Sequence, residues 1–246
     1  MAVGLRSMGA VVAAVALLSG CGDGGEVETK SDPRSTRSPS AKPLDGLTPP
    51  QILAKSKAAA LAAGSVHVSG DSDGVAMDIR ASKTGDGRGT MTYGADGGKV
   101  DILVRNGQLY VKGDKQFWTK NANKAVAQLL TGKWLKDDKQ KPQFGDLAEI
   151  LALDKILEEG LQPEGTISRV KGRDVGGQAT VGLLDKTAKG GDEGTLYIAE
   201  ADEALPLLVV SAEGEQITFN EWGDPVKVAA PPKDLVIDIA ELQNAA

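Results

Sequence analysis

Cysteine and histidine are almost absent from these 246 residues, with one of each, Cys21 and His67. One cysteine forms no internal disulfide, and with one histidine it cannot supply the three or four Cys and His ligands of a zinc cage. Redox and zinc chemistry lose their usual side chains, so the expectation is no metal and no cofactor. A basic excess is lacking too: 28 Lys and Arg stand against 34 Asp and Glu, a formal net charge of −6. No nucleic acid is expected as a partner, because its phosphates demand clustered cations. Aromatics are few, three each of Trp, Tyr and Phe. What is abundant is glycine, 31 residues, which favours many turns over long helices. The 41% apolar and 25% charged content is ordinary for a globular chain long enough for one good-sized domain.

The chain also lacks, at its start, an apolar run of the roughly 20 residues that a membrane-spanning helix needs. Arg6 is the one charge in residues 1–20, and Ser7 to Gly20 is uncharged and apolar from Met8 to Leu18. That is the pattern of a secretory signal peptide. Leu18-Ser19-Gly20-Cys21 ends the run and resembles the bacterial lipobox, in which the Cys thiol takes a diacylglyceryl group and the chain is cut in front of it. The resemblance implies a lipoprotein held through Cys21 on the extracytoplasmic face of the plasma membrane, since two chains anchor stably where one does so marginally. Residues 21–48 then read as the lipidated Cys and a flexible tether. From Gly22 to Thr48 they carry Pro33, Pro39 and Pro43 among small and charged residues, with Val27, Leu44 and Leu47 as the larger aliphatics. Too little is apolar there to fold, and 27 flexible residues span about 30 Å end to end. Residues 49–246 form the folded domain.

Thr48-Pro49-Pro50-Gln51 predicts a helix start with a capping box, and Gly64 its end. Leu53, Ala60 and Leu61 share a face of this Ala-rich, thin helix. The apolar period then changes to two, at Val66 and Val68, at Val75, Met77, Ile79 and Ala81, and at Val100, Ile102 and Val104. Asn106-Gly107, followed by Leu109 and Val111, makes residues 99–112 a hairpin with a type I′ turn. Ala122, Val126, Leu129 and Leu130 predict a helix, and Asp146 with Glu149 predicts another that ends at Gly160. From Gly165 the two-residue period returns at residues 166–170, 175–184, 195–199, 205–212 and 216–222. The fold class is mainly β (α+β), an antiparallel meander of about ten or eleven strands with helices before and between them. Leu205 to Val210 is apolar on both faces, so that strand is covered on two sides.

The motifs that could carry chemistry do not hold together. Ser168-Arg169-Val170-Lys171 matches the S-x-x-K of penicillin-interacting enzymes and Lys83-Thr84-Gly85 their K-T-G. In a strand, however, Ser168 and Lys171 point to opposite faces, and the two motifs come in the wrong order. His67 alternates with Val66 and Val68 as a solvent-side strand residue. Asp71-Ser72-Asp73-Gly74 lacks the later oxygen ligands of a calcium loop and reads as a turn. Gly85, Gly87 and Gly89 precede no helix, which makes Thr84 to Thr90 a linking loop and not a phosphate cradle. Asp137-Asp138 and Glu158-Glu159 read as solvated helix ends. No catalytic residue is assigned and the chain is expected not to be an enzyme.

The lipobox, the Pro-rich tether, the Ala-rich helix and several ordered segments together carry a resemblance. They are Gly107-Gln108-Leu109-Tyr110-Val111-Lys112, Val170-Lys171-Gly172-Arg173-Asp174-Val175-Gly176-Gly177, Gly194-Thr195-Leu196-Tyr197-Ile198, Leu205-Pro206-Leu207, Ile217-Thr218-Phe219-Asn220-Glu221-Trp222-Gly223-Asp224-Pro225-Val226 and Ala230-Pro231-Pro232. Over about residues 49–240 the chain resembles actinobacterial lipoproteins of the LppX/LprA/LprF/LprG group. The resemblance implies a LolA/LolB-like fold: a curved antiparallel sheet, a half-open barrel, with helices over its concave side and an apolar cavity between. It also implies a monomer that binds an acylated lipid or glycolipid and moves it through the cell envelope. The candidate lining is Val66, Val68, Val75, Met77, Ile79, Val100, Ile102, Val104, Leu109, Val111, Leu196, Ile198, Leu207, Val209, Ile217 and Phe219. A dry void of about 500 Å³ would cost roughly 12 kcal/mol at about 24 cal/mol per Å³, which rivals the stability of a whole domain. Such a space must be filled by lipid, collapsed, or small. The rival readings are an interaction or sensory lipoprotein with a filled core, and a hydrolase with convergent polar groups.

Overall fold

The computed structural model describes residues 43–140, 142–186 and 194–240; Cys21, the signal segment and most of the tether lie outside them. The first helix, α1 (Pro49–Ala63), starts and stops where its caps predict. The Thr48 backbone N–H donates to Gln51 Oε1 at 2.9 Å, and Gly64 closes the helix at φ 84°. Its buried side is Ile52, Leu53, Ser56 and Ala60, so Leu53 and Ala60 of the predicted face are buried while Leu61, at its margin, is 37% exposed. The described residues include part of the segment read as tether. A turn from Pro43 precedes α1, and its Leu44 is wholly buried, its carbonyl accepting from Arg169 Nη1 at 3.2 Å.

In chain order the remaining elements are β1 (Ser65–Ser72), β2 (Val75–Ser82), β3 (Gly87–Tyr93), the short α2 (Gly94–Gly97), β4 (Gly98–Arg105) and β5 (Gln108–Gly113). Then come α3 (Lys115–Asn121), α4 (Lys124–Leu130), β6 (Trp134–Lys136), α5 (Gly145–Glu149), α6 (Leu153–Gly160), β7 (Thr166–Val170), β8 (Asp174–Val175) and β9 (Gln178–Lys186). The last are β10 (Gly194–Ala199), β11 (Pro206–Val210), β12 (Gln216–Asn220) and β13 (Val236–Asp238). The strands form one curved, unclosed sheet in the order β13-β6-β5-β4-β3-β2-β1-β12-β11-β10-β9-β7, with β8 pairing β9 beside it. Every pairing is antiparallel except β13 with β6. This is the expected half-open α+β architecture, with thirteen strands among the described residues instead of ten or eleven.

The differences have local causes. The segment read as a loop around Gly87 and Gly89 is strand β3, whose glycines break the apolar alternation that would have marked it. The single strand read at 175–184 is the β8–β9 hairpin, turned at Gly176 and Gly177, both at positive φ. The helix read from Asp146 to Gly160 is two, α5 and α6, and its first turn has no side-chain cap. At the break Leu151 is wholly buried against Gly87, where a Cβ would stand 2.9 Å from that of Leu151. Asn106 and Gly107, at φ 50° and 67°, turn the β4–β5 hairpin as predicted.

Strand register carries two apolar rows across the inner face. One runs Leu135, Val111, Ile102, Gly89, Ile79, Val68 and Phe219. The other runs Leu183, Leu196, Val209, Ile217, Gly70, Met77, Met91 and Val100. Helices cover the two ends of these rows very differently. Over β3 to β6 lies an aromatic cluster: Phe117 and Trp118 of α3, edge to face at 5.1 Å, meet Tyr93 and Phe144, each ring pair at 6.2 Å. Gly113 makes that close approach possible, since a Cβ there would fall 2.3 Å from the Phe117 ring. Over β1, β7 and β11 lies α1, which carries no aromatic residue.

Candidate functional site

Where the Ala-rich helix replaces aromatics as the cover, the packing leaves a gap. A cavity of about 250 Å³, open on one side, lies between α1, the Gly160–Glu164 connection and the inner face of β7, β9, β10 and β11. Its walls are Leu53 from α1, Leu161 and Pro163 from the connection, and Ile167, Leu183, Leu196 and Val209 from the sheet. Its rim is polar, made by Gln162, Glu164 and Asp185 with Gly160 and Gly194. The Asp185 carboxylate accepts from the backbone N–H of Glu164 at 2.8 Å and of Gly165 at 3.0 Å, which holds the connection against the end of β9. Leu53, Pro163 and Ile167 also border a shallower groove, lined further by Pro50, Ala54, Lys57 and Gly165. Burial pulls the Lys57 ammonium below the ordinary lysine range, and the Glu158 carboxylate acts against that shift.

Of the predicted lining, Leu196 and Val209 border the cavity. Val66, Val68, Ile79, Val100, Ile102, Val104, Leu109, Val111, Ile198 and Phe219 lie in one continuous buried core, with Met77, Val209 and Ile217 packed against it. Val75 is half-buried at the end of β2. Leu207 is buried outside that core, at a bulge where the β10–β11 register shifts between Tyr197 and Ile198. Leu207 and Leu208 are both buried, so β11 is covered on two sides as its sequence implied. The period-two pattern therefore finds the inner face but not the part of it left unfilled. The walls missing from the predicted lining are Leu53, Leu161, Pro163, Ile167 and Leu183. The available signal was a negative one: α1 holds no residue bulky enough to fill the space that α3 fills with Phe117 and Trp118.

Polar clusters elsewhere serve the fold. His67 stands on the solvent side of β1, opposite the buried Val66 and Val68, but its neighbours cover it: its side chain is 12% exposed, with Nε2 3.0 Å from Asp78 Oδ1 and Nδ1 3.4 Å from Glu221 Oε1. Arg80 closes the group, binding Glu221 at 3.0 and 3.1 Å and Asp78 at 3.2 Å. The one guanidinium thus bridges both carboxylates, and β1, β2 and the residue that follows β12 are tied together. Asp137, read as a helix end, is 3% exposed in a loop, where it accepts from the backbone N–H of Asp138, Gln143 and Phe144 at 3.0 to 3.1 Å. Asp73 and Gly74 form the β1–β2 turn, and Ser168 lies in β7, paired with Leu184. Among the described residues no group of three or more His, Cys, Asp and Glu is placed to hold a metal ion.

No protein-family model matches the chain, and no curated protein matches it. Among solved structures it is similar to LprF from Mycobacterium bovis, at 20% identity and a TM-score of 0.48, over 74% of this chain and 96% of that one. It is similar to lipoprotein LppX from Mycobacterium tuberculosis at 19% identity and a TM-score of 0.46, over 73% of this chain and 99% of that one. A third likeness, to MucB in complex with MucA, has 14% identity and a TM-score of 0.34 over 73% of this chain and 58% of that one. At these identities the likeness reaches no further than the fold.

Proposed function

We propose that this chain is a membrane-tethered, extracytoplasmic, non-enzymatic protein that holds the acyl part of a lipid or glycolipid beneath α1, for transfer within the cell envelope. The observation that carries the reading is the apolar cavity walled by Leu53, Leu161, Ile167, Leu183, Leu196 and Val209. Dry and sealed, 250 Å³ would cost roughly 6 kcal/mol at about 24 cal/mol per Å³, a large share of a domain's stability. Its polar rim faces water and its walls do not hydrogen-bond, an arrangement suited to a chain end inside and a headgroup outside. The volume sits just under the roughly 300 to 1,000 Å³ of small-molecule sites, room for part of one chain and not for several. The tether reading, with diacylglyceryl on Cys21, residues 1–20 removed and 21–48 as linker, rests on the Leu18 to Cys21 motif.

The packing of Val66, Val68, Val100, Ile102 and Val111 into solid core favours a second reading, an interaction or sensory lipoprotein that uses the sheet as scaffold for a protein partner. One substitution separates them. Val209 is half-buried at the cavity wall, so Val209→Trp places an indole in the gap. The expected result is loss of binding of a fluorescent fatty-acid probe, more than tenfold, with the urea midpoint preserved. Unchanged probe binding by a folded variant, or no probe binding by the native chain, would sink the lipid reading. Mass spectrometry of the full chain extracted gently from membranes gives the parallel readout: acyl lipid beyond the Cys21 modification.

A further inference from the structure

Charge is segregated along this chain. Residues 75–140 carry twelve Lys and Arg against seven Asp and Glu, although the whole chain has a net charge of −6. The segregation is sharpest on the helices that cover β4 and β5. From Lys115 to Lys136 there is no acidic residue, and Lys115, Lys120, Lys124 and Lys133 all fall within α3, α4 and the turn after them. None of Lys115, Lys120 and Lys124 forms an ion pair with a described residue. Asp96 borders a surface recess with Lys115, Gln116, Thr119 and Lys120, and Asp114 caps the start of α3.

The same hairpin shows the most exposed large apolar side chain of the described residues. α4 turns Ala127 and Leu130 inward and leaves Leu129 50% exposed. The sequence period groups Leu129 with Ala122, Val126 and Leu130 at helical spacing. The fold turns it outward because α4 spans seven residues, Lys124–Leu130, and packs inward through Ala127 and Leu130, with Val126 partly buried beside them. Lysines in excess of acids, on the same hairpin as an outward leucine, match the two components of an anionic bilayer surface: phosphate headgroups and the apolar layer beneath. An anionic polymer would engage the lysines and give Leu129 nothing to enter.

We propose that the α3–α4 hairpin is a docking face for an anionic phospholipid bilayer, with Leu129 as the side chain that crosses the headgroup layer. The inference is independent of the acyl cavity, which lies under α1 on the other part of the sheet. The acidic remainder of the chain is repelled by the same surface, so docking also orients the molecule.

The test uses the full chain with Cys21→Ser, which removes the lipid anchor, and an environment-sensitive fluorophore on Leu129→Cys. Leu61→Cys, at the other outward leucine, provides the control position. With phosphatidylglycerol-containing vesicles the label at position 129 shifts to the blue and the label at 61 does not; pure phosphatidylcholine vesicles leave both unshifted. Lys120→Gln with Lys124→Gln lowers the partition coefficient roughly thirtyfold, about fivefold per lysine, with an unchanged circular dichroism spectrum as the folding control. Equal shifts at positions 61 and 129, as general association through the N-terminal apolar segment would give, overturn the proposal. So does an unshifted label at 129, or binding to a soluble anionic polysaccharide with no binding to vesicles.

Discussion

Ser56 is the polar side chain least suited to its place. It is wholly buried on the sheet-facing side of α1, and its Oγ has no hydrogen-bond partner. An unpaired buried hydroxyl costs about 1 to 3 kcal/mol, and alanine is the better helix former. Ser56→Ala is therefore expected to stabilise the chain by about 1 kcal/mol, seen as a higher urea midpoint with an unchanged slope. A lower midpoint would mean that the hydroxyl has a partner in solution. Nothing in the sequence marks Ser56, because a serine amid lysines and alanines reads as surface. Asp137 escaped for the opposite reason. Two adjacent acids look solvated, yet the first is buried because three backbone N–H groups of the loop to Phe144 converge on it, and a carboxylate that receives such bonds tolerates burial.

Elements whose signals are local were legible, and those shaped by distant contacts were not. The β4–β5 hairpin needs only its alternation and Asn106-Gly107, and α1 needs only its caps. The break between α5 and α6 depends on Leu151 reaching Gly87, far away in sequence. β13 is equally opaque: three residues at the chain's end, recognisable only because they pair with β6. Beyond that ladder, the ion pair at 2.6 Å between Asp238 and Lys136 joins the two strands. The hydrogen bond from Lys136 holds the Asp238 carboxyl below its ordinary value of 3.8. A carboxyl more acidic when folded stabilises above its unfolded value and loses that contribution as the pH falls through the folded one. Native protein should accordingly melt higher than Asp238→Asn at neutral pH, and the gap should close as the pH drops below 3.8. A gap that persists in acid would assign the pairing of β13 to other contacts.

At the scale of the molecule, one sheet serves two different interiors. Over β3 to β6 the rings of Phe117, Trp118, Phe144 and Tyr93 fill the concavity; under α1 small side chains leave it partly vacant. The sequence showed which face points inward and not which end is hollow, since alternation reports a side and not a depth. An acyl probe should consequently slow amide exchange in α1, the Gly160–Glu164 connection and β9 to β11 and leave β3 to β5 unaffected. Uniform protection across the sheet would contradict a site confined to one end. The edges β7 and β13 never meet, and that matters mechanically. A closed barrel resists swelling with its whole circumference, whereas this one is a leaf spring free at both tips. A guest thicker than the resting gap would press on a bend shared among the five junctions from β7 through β9, β10, β11 and β12 to β1, and not on a closed hoop of ladders.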